Sequence, residues 1–223
     1  SSEIINGIWT GKGKIGLPMY SPYTIASQVV FPSQFDPAKL IEFDELTKSD
    51  TYEKDGARWL KKLNQNDIQA KPALIWLVSN CQRLGNALVW HFDFKNVYND
   101  VISNPPWQSS FAQSYVIQAL QKAVDEQLDI DNIHFLDYLA HATRAYNVDL
   151  SKGGIKSVHP QKKITFFEEV PENVHILNAH LTSLVTLDKM RSYINEDYLP
   201  QLQQGALTSL REVYALYNTG YWL

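Results

Sequence analysis

The chain has 223 residues, enough to bury a full core, and its 44% hydrophobic and 20% charged content excludes a disordered protein. A net charge of −4 with no basic run gives nucleic acid no footing. A single cysteine, Cys81, excludes an internal disulfide and a cysteine metal site, and its apolar neighbours read as those of a buried thiol.

In chain order, residues 1–35 are rich in Gly, Pro and Ser and hold no sustained period, so they read as an extended arm or irregular loops. Gly11, Gly13 and Gly16 sit close together, but no amphipathic helix follows to complete a phosphate loop. Tyr52, Gly56, Trp59, Leu60 and Leu63 fall on one helical stripe. Pro72 suits the first turn of a second helix, with Leu74, Leu77, Val78, Cys81 and Leu84 along one face and Gly85-Asn86 at its end. Leu88, Trp90, Phe92 and Phe94 alternate as a short strand does. After Pro105-Pro106, a helix is predicted from Trp107 to about Asp125, and another from about Asn132 to Tyr146. Two β-like runs, Ile155–Val158 and Ile164–Phe167, then form a hairpin. Two long helices close the chain, from about Asn173 to Tyr193 and from about Glu196 to Tyr217. The first is apolar around most of its circumference, which predicts burial on several sides.

Six helices in three consecutive pairs, with β-like excursions between them, predict an all-α fold: an incomplete α/α toroid of paired helices with short β-hairpin excursions. Residues 1–48 read as an arm and loops packed on the body, and residues 49–223 as the toroid-type domain. No stretch reaches the roughly 18 apolar residues of a membrane helix. Ser1 to Ile8 carries no signal-peptide pattern, although the compartment stays undetermined, since a leader or anchor can be removed from a mature chain.

Two segments hold the residues with chemistry. Glu168-Glu169 follows a hydrophobic strand: either one carboxylate faces solvent, or one projects into a cleft as a general base with a raised pKa. Trp107, flanked by Gln108 and Gln113, is either a platform for a sugar ring with amide donors beside it or a hydrophobic staple. The six histidines lack the i, i+4 spacing of a helical zinc pair, so no metal is assigned. No G-x-S-x-G elbow occurs, and nucleophilic hydrolysis has no support.

Residues 105–120 (PPWQSSFAQSYVIQAL) and 166–187 (FFEEVPENVHILNAHLTSLVTL) carry a resemblance, as do residues 214–220 (YALYNTG). Together, over residues 86–223, they resemble the C-terminal domain of the D-glucuronyl C5-epimerases, whose motifs run W-x-S-x-x-A-Q, then Y-E-E-Y-P, then V-L-N-G, then L-Y-D-T-G. The family inverts C5 of glucuronate residues within a polysaccharide, which requires a base on one ring face and a proton donor on the other. The resemblance implies Glu169 as base, with Tyr217 and Tyr221 among the catalytic groups. It also implies Trp107, Gln108, Gln113, Glu168 and Asn178 as substrate-binding residues, with Arg144 either pairing with a substrate carboxylate or lying on a solvated helix face. No cofactor is implied.

Two departures stand out. Val170 replaces the tyrosine expected after the second glutamate, and the chain ends at Leu223 where the family continues with Y-D-L-R and a later tyrosine. The reading is thus a carbohydrate-active protein acting on, or binding, a glucuronate-containing polysaccharide by proton abstraction at C5. The alternatives are a non-catalytic glycan-binding or scaffold domain and a toroid lyase or glycosidase, the last disfavoured because adjacent glutamates seldom face each other across a bond. An incomplete toroid also exposes an apolar helix face, which suits a homodimer.

Overall fold

The structure, a computed structural model, describes residues 2–12, 18–32, 70–159 and 161–218. The helix expected around residues 52–63 and the glycine cluster from Gly13 onward lie outside them. At the N-terminus, β1 (Ser2–Ile5), β2 (Ile8–Lys12) and β3 (Pro18–Met19) form an antiparallel meander. Its first turn, Asn6-Gly7, holds both residues at positive φ, 50° and 79°. Helix α1 (Pro22–Val30) follows, capped by the Ser21 side chain accepting from the Thr24 N–H, with Pro22 in its first turn. Gln28 fastens α1 to β2: its side chain accepts from the Trp9 N–H at 2.9 Å and donates to the Trp9 carbonyl at 3.0 Å. The residues read as irregular loops therefore contain a sheet and a helix.

Beyond α2 (Ala70–Ser79) come four two-stranded antiparallel ladders, three of them before the next long helix and one between the later helices. Strands β4 (Gln82–Leu84) and β5 (Ala87–Val89) pair, as do β7 (Asn96–Tyr98) and β8 (Val101–Ser103). Strand β6 (His91–Phe92) pairs with β9 (Trp107–Gln108), and β10 (Lys156–Val158) with β11 (Thr165–Phe167). The helices are α3 (Ser110–Asp125), α4 (Phe135–Arg144), α5 (Leu177–Met190) and α6 (Tyr198–Tyr217).

The chain is thus a mixed α/β protein, and the all-α toroid expectation is overturned by these sheets. The apolar period misled because Cys81 and Leu84 pack on the core from extended backbone after α2 has ended, so they extend a helical stripe without a helix. Gly85 (φ 60°) is the turn of the β4–β5 hairpin rather than a helix cap. Trp107 lies in a strand opposite Phe92, and α3 begins three residues later, where Ser109 accepts from the Ala112 N–H. Cys81 is half-buried rather than buried. On α5, Leu181 and Val185 are 41% and 56% exposed, so that helix is open on one side.

Helix α3 is the centre of the packing. It touches α1, α2, α4 and α5, and Val116, Ile117, Ala119 and Leu120 on it are fully buried. Helix α6 closes over α5 and β11. The connection from α4 into the β10–β11 hairpin is tight at Gly154, where a Cβ would stand 2.0 Å from the Val148 carbonyl oxygen. That contact is with backbone, which cannot give way as a side chain does. Gly154→Ala is therefore expected to destabilise the fold by about 3 kcal/mol. Gly205→Ala, on an exposed stretch of α6 with nothing within 4 Å, should stabilise it slightly. Urea unfolding of the two variants checks the contrast; equal midpoints would refute the close approach.

Candidate functional site

Strand β11 delivers the two glutamates to different surroundings. Glu168 is 1% exposed, and three donors meet its carboxylate. The Ser157 hydroxyl donates at 2.5 Å, the His175 backbone N–H at 3.0 Å, and His175 Nδ1 lies 2.5 Å from the same oxygen that Ser157 reaches. Buried carboxylates are costly unless satisfied in this way. The backbone of Glu168 is fixed as well, donating to the Ile155 carbonyl and accepting from the Ser110 N–H at the start of α3.

His175 presents its ring and its backbone N–H to one carboxylate because its φ is 54°, a left-handed conformation. Its side chain remains 44% exposed. Tyr217, near the end of α6, donates its hydroxyl to the His175 carbonyl at 2.5 Å. Burial, with Glu168 nearby, raises the Tyr217 pKa.

Glu169 faces the other way chemically. It lines a cleft of about 270 Å³ with Trp107, Phe92, Phe94, Phe111, Tyr23, Ser21, Asn96, Ser109, Ala112 and Val170. Its Oε2 is buried and has no hydrogen-bond partner among the described residues. Burial raises its pKa above the ordinary carboxylate value, which moves the group toward the range useful for moving protons near neutral pH. Trp107 is part of the cleft wall and only 6% exposed. One ring face stacks on Phe92, with centroids 4.1 Å apart, and Nε1 donates to the Phe94 carbonyl. Val170 packs with Phe92, Trp107 and Ala112 beneath the cleft.

Of the residues singled out in the sequence, Glu168, Glu169, Trp107 and Tyr217 gather at this end of the β10–β11 hairpin. The others have different settings. Gln108 is buried and donates to the Gly154 carbonyl. Gln113 is buried and donates to the carbonyls of Leu88 and Ala142, tying α3 to β5 and α4. Arg144 makes a two-pronged ion pair with Glu196, the closest contact being 2.6 Å. Asn178 is exposed on the first turn of α5 and is not a cleft-lining residue. Tyr221 lies outside the described residues. Sequence reasoning missed His175 and Ser157, because the histidines were weighed only for metal spacing. It also missed Phe94, Phe111 and Tyr23 as cleft aromatics, for which the FDF pattern at 92–94 was the available signal. Among the described residues no group of three or more His, Cys, Asp or Glu gathers as a metal site would. No helix among them is long and apolar enough to cross a membrane.

An aromatic cleft with one desolvated carboxylate, beside a buried carboxylate bonded to a histidine, suits a protein of the carbohydrate-epimerase class. Residues 85–223, more than half of the chain, match the family model described as D-glucuronyl C5-epimerase C-terminus. The chain belongs to that family, and its function is carbohydrate-related and C5-epimerase-like. No curated protein is a significant match to the sequence.

The hairpin that carries the site is locked to α5 and α6 by His180. Its Nδ1 accepts from the Phe167 N–H at 3.1 Å, its Nε2 donates to the Ala206 carbonyl, and its ring stacks on Phe166. Burial lowers its pKa from 6.5 to about 4. An unfolded histidine takes up its proton near the higher value, so stability is fully present above pH 6.5 and declines as pH falls toward 4. The expected loss is on the order of 3 kcal/mol. Chemical denaturation from pH 7 to 4 measures it, and His180→Gln should flatten that part of the profile; identical slopes in the two proteins would discard the assignment.

Proposed function

We propose that this protein acts on a glucuronate-containing polysaccharide as a C5-epimerase, with Glu169 as the base that removes the C5 proton. The observation that carries the reading is the state of Glu169: half-buried in an aromatic cleft, with one oxygen unpartnered and a raised pKa. The C5 hydrogen of a uronate lies α to a carboxylate, so it is a weak carbon acid. A desolvated carboxylate is a stronger base toward it than a solvated one. Tyr23, Phe94, Phe111 and Trp107 supply apolar walls suited to pyranose C–H faces. Tyr217 stands at the family's L-Y-D-T-G tyrosine and lies against His175, close to the glutamates.

A second reading, a glycan-binding domain without catalysis, is favoured by one observation. Val170, where the family pattern has tyrosine, is buried among Phe92, Trp107 and Ala112 and brings no hydroxyl to the cleft.

The two readings part in D₂O. Incubated with a glucuronate polymer, the protein is expected to place deuterium at C5, detectable by NMR or mass spectrometry. Glu169→Gln should reduce that exchange by about 10²–10⁴-fold while leaving the thermal melt in place. Binding of the polymer with no deuterium incorporated would establish the second reading, and full activity in Glu169→Gln would remove this residue from the role.

A further inference from the structure

The epimerase reading needs a proton donor on the second ring face, and the chain has valine where the family has a tyrosine. A candidate stands six residues from Glu169. We propose that His175, aligned by Glu168, is the second acid–base group of the site. This inference rests on the C5-epimerase reading of the preceding subsection.

The geometry is that of a carboxylate-backed imidazole. As a carboxylate, Glu168 accepts from Ser157, from the His175 N–H and from His175 Nδ1. The Nδ1 proton is thereby fixed, and Nε2 is left as the nitrogen that gains or loses a proton. Nε2 has no hydrogen-bond partner among the described residues, and the side chain is 44% exposed. A purely structural histidine would bury the ring and occupy both nitrogens, as His180 does. The left-handed backbone at His175 is also what turns its N–H and its ring toward the same carboxylate.

Two links run from His175 to the cleft. Val174, its chain neighbour, packs against the group of Phe92, Trp107, Ala112 and Val170. Glu168, its partner, is adjacent to Glu169, with Cα atoms about 3.8 Å apart. Tyr217, at a family-motif position, holds the His175 carbonyl and so fixes that loop. On this proposal an oligosaccharide seated on Glu169 extends past Val174 to the imidazole. The titratable groups around the ring are Glu168, Tyr217 and His180.

The step balances without a co-reactant. The Glu169 carboxylate takes the C5 proton as the C–H bond breaks, and the electron pair moves into the uronate carboxylate. The imidazolium of His175 then releases its Nε2 proton to C5 from the opposite face as the pair returns. Glu169 is left protonated and His175 neutral, and both recover their starting states by exchange with water.

The test uses the full chain, with His175→Gln and His175→Asn as two variants of different reach and thermal melts to confirm folding. Where wild type incorporates deuterium, either folded variant should lose about 10²–10⁴-fold in rate. Glu168→Gln, which alters the acceptor of Nδ1, should lower kcat with little change in KM, a split that a merely structural role would not give. An unchanged rate in a folded His175 variant would overturn the proposal. Where wild type shows no exchange, the epimerase reading fails by itself, and ¹⁵N-histidine NMR decides the rest. A glucuronate-containing oligosaccharide that shifts the His175 ring signals keeps the residue in the ligand site, and signals that stay in place remove it.

Discussion

A carboxylate taken almost wholly out of water must be given donors, and the arrangement around the site follows from doing so for Glu168. The β10–β11 pairing sets Ser157 opposite Phe166, and the Ser157 hydroxyl then reaches the Glu168 carboxylate just past the end of β11. The loop after Pro171 turns back through left-handed residues at Asn173 and His175 to bring two more N–H donors. Helix α6 then covers that loop, with Tyr217 donating to its backbone. Removing any one donor from such a group leaves a buried acceptor unpaired, so the hairpin, the loop and the end of α6 hold one another in place.

The same logic applied one residue later gives the opposite result. Glu169 cannot share those donors, and the cleft around it is aromatic and aliphatic with few polar groups. One carboxylate is therefore held by hydrogen bonds while its neighbour is partly desolvated and has one oxygen without a hydrogen-bond partner among the described residues. Unlike environments are what the proposed division between a positioning carboxylate and a proton-transferring one requires, and equally solvated glutamates would not provide it. The start of α3 enforces this division, because the Ser110 N–H holds the Glu168 carbonyl while Ser109 and Phe111 stand in the cleft wall.

Much of this was legible in the sequence where periodicity was long and punctuated. Helices α3, α4, α5 and α6 and the β10–β11 hairpin fall where the apolar stripes and the turn between Val158 and Ile164 put them, with ends shifted by a few residues. What failed was short-range. Hairpins of two or three residues per strand leave too few positions for a period of two to show, and Cys81 and Leu84 continue a helical stripe from extended backbone. Two missed elements did carry local signals: Asn6-Gly7 between Ile-rich runs for the first hairpin, and Ser21-Pro22 for the start of α1. The site was half legible. The paired glutamates and the family motifs pointed to the strip that borders the cleft, but no pattern in one dimension states that an amide will be consumed by distant carbonyls. Gln113 and Gln108 satisfy Leu88, Ala142 and Gly154, and Arg144 satisfies Glu196.

Val170 acquires a physical reading from these neighbours. In this chain the position lies beneath the cleft against Phe92, Trp107 and Ala112, a dry contact in which a phenol would need both room and a hydrogen-bond partner. The stacked Phe92–Trp107 pair fills that space, and the Trp107 Nε1 is already committed to the Phe94 carbonyl. The position therefore gives the cleft an apolar surface rather than a hydroxyl. Among the described residues the ionisable carboxylate in the cleft wall is Glu169, and the hydrogen-bonded group of Glu168, His175 and Tyr217 lies on the other side of the same strand end.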